Sequence, residues 1–444
     1  MRLSIGYDCI LPAIMVSFWK RTRCLNRAYG ITRNNFFGGT WMDALEILSD
    51  LENCFPYFQP IFSADEQCVI AYEVLGRYYS EGEVISLGPF FHDDQIPDEY
   101  KFEVDILLVK KALEKVLELN ENISIFLNRN AELLMYGHGE PFLQELLAFE
   151  KRGLSLNRIV LEISDRNYQG DLDQFDHLLQ YYRTYGLKIA IASIGSESQY
   201  FERIGQLEPD IIKINLQALK STATGMNFND VLYSLSLFAR KIGATLLFEN
   251  IEMSYQLQFA WKNGGHFYQG CYLHPPSAEI IRRDFLKYRL KEKFHDFIAY
   301  EKRKLEAVYT TAEYFQATVQ EIVVKNRKLG YENLFQALIN EMDGIAFRIY
   351  VCDEDGFQKS SNIFKEKNGW STQAEYLDKN WSWRPYFLEN IIKMRHEQKG
   401  RLSDLYCDIE TGETIRTFSF PVTENEYLFI DISYQYLFEH DQLL

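Results

Sequence analysis

The 444-residue chain contains no Cys-x-x-Cys pair and no cluster among its eight histidines, and its seven cysteines (Cys9, Cys24, Cys54, Cys68, Cys271, Cys352, Cys407) lie scattered. Neither a disulfide framework nor a zinc site is encoded, which fits a reducing cytoplasm. Basic charge is also in short supply: 47 Lys and Arg stand against 63 Asp and Glu, a formal net charge of −16. Such a surface repels polyanions, which excludes a general nucleic-acid-coating role but not a small anionic nucleotide held in a pocket. No membrane span is expected either. The apolar run Cys9 to Trp19 stops at about half of the roughly 20 residues a span needs. Its positive charges follow the run instead of preceding it, and no small-residue cleavage site comes after, so it does not read as a secretory signal.

Residues 1–41 differ from the rest: six Lys or Arg against one acid give a net +5, leaving −21 for the remainder. Helical periodicity is absent there. Met42-Asp-Ala-Leu-Glu-Ile-Leu then opens the pattern of an ordinary domain, and Gly38-Gly39 fits the in-frame reading of a purine-rich ribosome-binding site. Two explanations stay open, a start codon assigned too far upstream and a disordered tail.

Length allows two or three domains, each with its own core. Between Pro56 and Cys271, eight β-branched or aromatic runs alternate with helical patterns: 57–62, 69–75, 123–128, 159–164, 188–193, 211–215, 245–250 and 266–271. Strand followed by helix, repeated over roughly 250 residues, predicts a (β/α)8 barrel of the TIM type, in the α/β class. A doubly wound sheet is the alternative, but no Gly-x-Gly-x-x-Gly follows the first strand. Only Ser63 to Cys68 separate the first two runs, whereas a parallel crossover needs about a dozen residues. The first strand is therefore expected to be antiparallel to its neighbour.

Polar residues interrupt these apolar strands at their C-terminal ends: Glu73, Asn128, Glu162, Lys213 with Asn215, Glu249 and Gln269. Any one of them reads as a loop cap. Six strands doing so together predict an oxygen-lined pocket at the face where such barrels place their chemistry.

Glu73-Val74-Leu75 with Arg77 resembles the signature of EAL domains, phosphodiesterases that linearise cyclic di-GMP. In family order follow Phe58-Gln59-Pro60-Ile61, Asn128, Leu161-Glu162-Ile163-Ser164-Asp165, Lys213-Ile214-Asn215, Glu249-Asn250-Ile251-Glu252, and Gln269-Gly270-Cys271-Tyr272 with Pro276. The resemblance implies metal-assisted hydrolysis with two divalent cations, Mg2+ or Mn2+. Carried over, Glu73, Asn128 and Glu162 hold the first cation, Lys213 orients the nucleophile, Glu249 supports the water network and Glu252 braces the catalytic loop. Gln59, Leu75, Arg77, Gln269 and Pro276 lie toward the ligand, with Arg77 suited to phosphate.

The departures from that family lie on the fifth and sixth strands. Where the family carries Asp-Asp-Phe-Gly, this chain reads Ala192-Ser193-Ile194-Gly195, and the sixth-strand Asp is Asn215. Three anionic ligands are missing from a site that must hold two dications against their mutual repulsion. The expectation is a degenerate EAL domain that binds cyclic di-GMP without efficient hydrolysis, with one weakly held cation at most. A low-activity phosphodiesterase and an interaction scaffold without nucleotide are the competing readings. A homodimer is implied by the resemblance alone.

Residues 284–329 contain neither Pro nor Gly, and good helix formers predict one long helix or two in succession. Residues 330–444 read as an α+β domain with strands at 346–352, 414–421 and 427–433 and a helix around 385–394. Trp381-Ser-Trp-Arg-Pro-Tyr-Phe387 and Ser403 to Asp408 resemble ligand-facing motifs of the PAS-like Cache sensors. That resemblance implies an unknown small-molecule ligand, with Arg384 pairing a carboxylate, Trp383 and Tyr386 walling the pocket and Asp408 accepting from an ammonium. A structural ion pair between Arg384 and Asp408 inside an aromatic core is the other reading. The whole order, barrel at 42–283, helical linker and PAS-like domain, resembles the YkuI-type two-domain proteins of Bacillus and related Firmicutes.

Overall fold

The computed structural model describes residues 44–80, 82–119, 123–164, 170–194, 200–217, 228–384 and 387–444. The expectation for residues 1–41 lies outside the described residues, as do Gly195 and Tyr386. Two compact units are present, one extending to Phe294 and one from His295 to Leu444.

The first unit is built on nine strands: β1 (Cys54–Ser63), β2 (Val69–Ser80), β3 (Glu83–Ser86), β4 (Ser124–Asn130), β5 (Ile159–Ser164), β6 (Lys188–Ile194), β7 (Ile211–Asn215), β8 (Thr245–Glu249) and β9 (Phe267–Tyr268). They run in the order β1-β9-β8-β7-β6-β5-β4-β2-β3, and an additional β1–β2 pairing closes eight of them into a barrel. Strand β1 is antiparallel to both β2 and β9, whereas the pairs from β2 through β4 to β9 are parallel. The short turn after β1 forces this. Its Ser63 Oγ accepts from the Asp65 and Glu66 amides, Gln67 takes a positive φ of 55°, and the Ser63 amide reaches back to the Cys68 carbonyl. No helix fits into so few residues, so the chain reverses direction.

The helices follow from period and caps. In Leu172–Thr184, Asp171 accepts from the amides of Asp173 and Gln174, and Phe175, Leu178, Leu179 and Tyr182 form the buried stripe. Those spacings of three and four place all four side chains on one face. Burial of each contributes about 1.5–3 kcal/mol. The helix stops where Gly186 adopts φ 89°, a conformation that costs glycine little.

Inside the barrel, the strand period of two sets the chemistry. Ile61, Ala71, Phe126, Val160, Ala190, Ile211, Leu247 and Phe267, one from each barrel strand, form an apolar layer. Two residues further toward the open end, the same inward-facing positions are Gln59, Glu73, Asn128, Glu162, Lys213, Glu249 and Gln269, and the corresponding sequence position of β6 is Ala192. The floor of the pocket is thus an ordinary barrel layer, and its lining is the next layer up.

In the second unit, β10 (Ala346–Asp353), β11 (Asn362–Glu366), β12 (Gly369–Gln373), β13 (Arg401–Leu402), β14 (Tyr406–Cys407), β15 (Thr414–Pro421) and β16 (Glu426–Ile432) form an antiparallel sheet ordered β12-β11-β10-β16-β15-β13, with β14 on β15. Phe315, Val319 and Val323 from helix Lys287–Asn326, and Leu334, Leu338 and Met342 from helix Tyr331–Met342, pack with Ile349, Val351, Phe418, Leu428 and Ile430. A second cluster joins Tyr350, Cys352, Tyr427 and Phe429 to Phe387, Ile391 and Met394 of helix Phe387–Glu397. The alternation along β10 and β16 explains both, since odd and even positions face opposite sides. Lys287–Asn326 is a single 40-residue helix. No helix among the described residues is long and apolar enough to cross a membrane.

Candidate functional site

Lys213 stands at the centre of the lining layer and is fully buried. Its Nζ donates to Glu73 Oε2 at 2.8 Å and to Glu162 Oε2 at 2.6 Å, and lies 3.3 Å from Glu249 Oε2. The three carboxylates come from β2, β5 and β8, with ligand oxygens all within 4.8 Å of one another. Glu73 is held further: Asn128 Nδ2 donates to its Oε1 at 2.8 Å and Gln269 Nε2 to its Oε2 at 2.7 Å. Gln269 Nε2 also reaches Gln59 Oε1 at 3.2 Å. Seven of the expected residues, Gln59, Glu73, Asn128, Glu162, Lys213, Glu249 and Gln269, therefore meet in one place.

The electrostatics of this cage follow from three acids sharing one base in a dry site. Burial raises the Glu73 carboxyl, but Lys213 and the Asn128 and Gln269 bonds outweigh it and leave Glu73 below its ordinary value. Glu162 bears the crowding: burial first, then the Glu73 charge, push it up to about 8 despite its bond to Lys213. Burial alone would lower Lys213, yet Glu162, Glu73 and Glu249 together hold it well above the ordinary lysine range. The ammonium is thus charged throughout the physiological range.

Two buried polar atoms of the motif residues lack a partner among the described residues. Arg77 is buried, its Nη1 donating to the Gly76 carbonyl at 2.9 Å and its guanidinium 5.1 Å from the Tyr57 ring centre, while Nη2 has no hydrogen-bond partner. Gln269 Oε1 is likewise unsatisfied. A donor and an acceptor left bare in a buried setting are what a ligand with phosphate and amide groups would satisfy. Leu75 is half-buried on β2, and Pro276 is half-buried in the segment after β9. That segment is laid over β1 by paired bonds between Phe58 and Ser277, the amide of each donating to the other's carbonyl, and by Lys115 Nζ on the Ala278 carbonyl at 2.6 Å.

Glu252 lies outside the cage. Its Oε1 accepts from Gln217 Nε2 at 2.7 Å, and its amide donates to Gln256 Oε1 at 2.7 Å. Asn215 points its Oδ1 at the Gln217 amide, 3.0 Å away. Gln217, which ties the ends of β7 and β8 together, and Gln256, which caps the start of its own helix Ser254–Lys262, are not marked by the sequence. Gly270 sits against the same loop: a Cβ there would lie 2.2 Å from the Ile251 carbonyl oxygen.

Ala192 and Ser193 lie on strand β6. The β6–β7 ladder is irregular between Ile191 and Ile194, the stretch that contains both residues.

Does this donor set suit a divalent cation? Three carboxylate oxygens within reach of one another, with no sulfur or imidazole, suit a hard ion of the Mg2+, Mn2+ or Ca2+ kind. Among the described residues one such group is present.

In the second unit, Asp408 Oδ2 accepts from Arg348 Nη2 at 2.6 Å and from the Thr411 amide and hydroxyl, each at 3.0 Å. The expected role of Asp408 toward a ligand ammonium is thereby corrected in part: its nearest cation is the buried guanidinium of Arg348, which also lies 3.4 Å from Asp431 and 3.5 Å from Glu410. Arg384 is buried with its guanidinium 4.5 Å from the Trp381 ring centre and 5.9 Å from that of Trp383. Trp383 is 60% exposed, so it does not wall an enclosed pocket as expected. Tyr386 lies outside the described residues.

Comparison with known proteins places this geometry. The EAL domain model matches residues 42–276, and a model of an EAL-domain associated signalling protein domain matches residues 280–444. The chain is 51% identical over 406 residues to YkuI of Bacillus subtilis (strain 168), an uncharacterized EAL-domain containing protein, covering 91% of this chain and all of that one. It is 24% identical over 238 residues to PdeG of Escherichia coli (strain K12), a probable cyclic di-GMP phosphodiesterase, covering 51% of this chain and 45% of that protein. The crystal structure of the Bacillus subtilis YkuI protein in complex with substrate c-di-GMP and calcium matches with a TM-score of 0.86, again over 91% of this chain and all of that one. With its barrel closed by an antiparallel first strand and its polar lining in family order, the chain belongs to the EAL-domain family.

Proposed function

We propose that this protein is a cyclic di-GMP receptor whose barrel binds the nucleotide without turning it over efficiently. One observation carries the reading. Around the lining layer, seven strands present a polar side chain, and the corresponding sequence position of the fifth of the eight is Ala192. With Ser193 and Asn215, three anionic ligands of the family are missing, while Gln59, Leu75, Arg77, Gln269 and Pro276 remain to receive the ligand. The likeness to YkuI, crystallised with c-di-GMP and calcium, supports nucleotide binding here.

A single cation, Mg2+ or Mn2+, would be held by Glu73 and Glu162 with Asn128 beside them. Such an ion, when bound, polarises a phosphodiester and acidifies an attacking water. Lys213, kept charged by its three acids, would orient anionic oxygens above the layer. Glu249 would hold Lys213 in register and Glu252 would brace the loop through Gln217. The unsatisfied Arg77 Nη2 would take a phosphate oxygen and the unsatisfied Gln269 Oε1 a guanine N–H.

The second reading, a slow phosphodiesterase, is favoured by the survival of Glu73, Glu162, Glu249 and Lys213. Calorimetry with cyclic di-GMP and Mg2+, run beside a hydrolysis assay under Mn2+, separates the two. Heat without product is expected, whereas turnover at rates ordinary for the family overturns the receptor reading. Restoring carboxylates with A192D/S193D is expected to raise hydrolysis by a factor of hundreds. The C-terminal unit, in the same proposal, is a Cache-like sensor for a small molecule, and the protein acts as a homodimer.

A further inference from the structure

We propose that the C-terminal unit takes a small organic monocation by its ammonium group, at the buried cluster of Arg348, Asp408 and Asp431. This rests on the reading of that unit as a small-molecule sensor and names the class of ligand it would take.

The sheet of this unit has one apolar face and one mixed face. Along β10, Ile349 and Val351 turn to the helices Lys287–Asn326 and Tyr331–Met342, so Arg348, Tyr350 and Cys352 turn to the other side. At the level of Arg348 the neighbouring strands place Asp431 of β16 and Thr417 of β15, and the Thr417 hydroxyl donates to Asp431 Oδ1 at 2.6 Å. From the chain just after β14, Asp408 Oδ2 accepts from Arg348 Nη2 and twice from Thr411. Each acid thus has one oxygen engaged and the other idle. Asp408 Oδ1, Asp431 Oδ2 and Arg348 Nε have no hydrogen-bond partner among the described residues, in residues 1%, 0% and 2% exposed. Arg348 Nε stands 3.4 Å from Asp431 Oδ2, wider than the roughly 2.7–3.2 Å of an N–H···O bond.

Idle polar atoms at this depth are costly, and charge says what would answer them. Asp408, Glu410 and Asp431 against Arg348 leave a formal −2, and Arg384, whose charge also bears on Asp431, brings the group to −1. A monocation closes that balance, whereas a neutral or zwitterionic occupant leaves it open. A proton on Asp431, whose carboxyl burial raises, would cancel the charge and leave Arg348 Nε bare. A divalent ion lacks its ligands here, since among the described residues the group of three acids with oxygens within 4.8 Å is the one in the barrel. An ammonium has N–H groups for both carboxylate oxygens, and a neighbouring hydroxyl on the same molecule would accept from Nε. Glu410, 34% exposed and 3.5 Å from Arg348 Nη1, marks the edge where the cluster meets solvent.

The test uses the full chain with ethanolamine as the probe. Choline, which has the same charge and hydroxyl but no N–H, is its control. In calorimetry the unaltered protein is expected to bind ethanolamine at least about tenfold more tightly than choline. D408N and D431N keep the shape of each side chain and remove one acceptor charge, and each is expected to weaken ethanolamine binding at least about tenfold. Equal binding of ethanolamine and choline, or ethanolamine affinity unchanged in either variant, overturns the proposal. Where a variant fails to fold, the contrast between the two probes on the unaltered protein decides: a tenfold preference for ethanolamine supports the site and none overturns it. Glycine bound in place of ethanolamine would overturn the monocation and keep the sensor reading. Silence toward all three probes would sink both.

Discussion

At the scale of single residues, the site depends on where backbone comes too close for side chains. Gly270 has φ 153° and leaves no room for a methyl group beside Ile251. Gly270→Ala is expected to push back the loop carrying Glu249 to Glu252, costing about 3 kcal/mol in a urea melt and weakening cyclic di-GMP binding together. A variant as stable as the parent would show that the loop yields. Gln217→Leu makes a finer prediction. Losing its bond to Glu252 should cost about 1 kcal/mol, with the change read in the nucleotide affinity rather than in whether the protein folds. Residue identities in the lining were legible in the sequence because strands alternate, so an acid or amide on an otherwise apolar strand must have a reason to face inward. Gln217 was not, since its bond to Glu252 joins segments that meet only after folding, nor was Gln256, whose side chain caps its own helix. Nor was the donor saturation of Glu73, which requires Asn128 and Gln269 to arrive from strands remote in sequence.

At the scale of elements, Arg348 on β10 shows how one strand can hold a sheet face together. It is buried and faces Asp408, Glu410 and Asp431. Burial raises Asp408, but the Arg348 bond and Thr411 outweigh it and leave its carboxyl below the ordinary 3.8. Burial wins at Asp431, which is raised. The signs differ accordingly. Asp408 contributes stability that is present above pH 3.8 and is lost as pH falls through its lower folded value. Asp431 subtracts stability as pH rises from 3.8 through its raised one. Arg348→Met removes the shared cation, so both acids become buried and unpaired. The expected loss is about 3 to 5 kcal/mol near pH 7, and smaller at pH 5, where the folded state retains more protons. Equal losses at the two pH values in urea midpoints would contradict this.

The same scale shows why some elements escaped sequence reading. The β1–β2 reversal was legible in six intervening residues, and the single linker helix in its lack of breakers before Gly330. Strand β3, and β11 to β14, were not. Asn362–Glu366 and Gly369–Gln373 are short and half-polar, and they are strands because β10 offers an edge to the first and the first offers one to the second, rather than because they alternate.

For the molecule as a whole, division into two compact units predicts two unfolding steps in calorimetry. Cyclic di-GMP at about 100 times its Kd should stabilise one step by about 2.7 kcal/mol and leave the other in place. A uniform shift of both would mean that the units melt as one. Fold class was legible because a barrel repeats its signal eight times, so that an error in one strand is corrected by seven others. The antiparallel β1 has a practical outcome for anyone fusing a reporter to this chain. Because β1 pairs Cys54 with Tyr78 and β2 ends at Ser80, polypeptide entering ahead of Cys54 arrives beside the C-terminal end of β2. A fluorescent protein spliced just upstream would hang beside the barrel face at which the proposed cyclic di-GMP site opens.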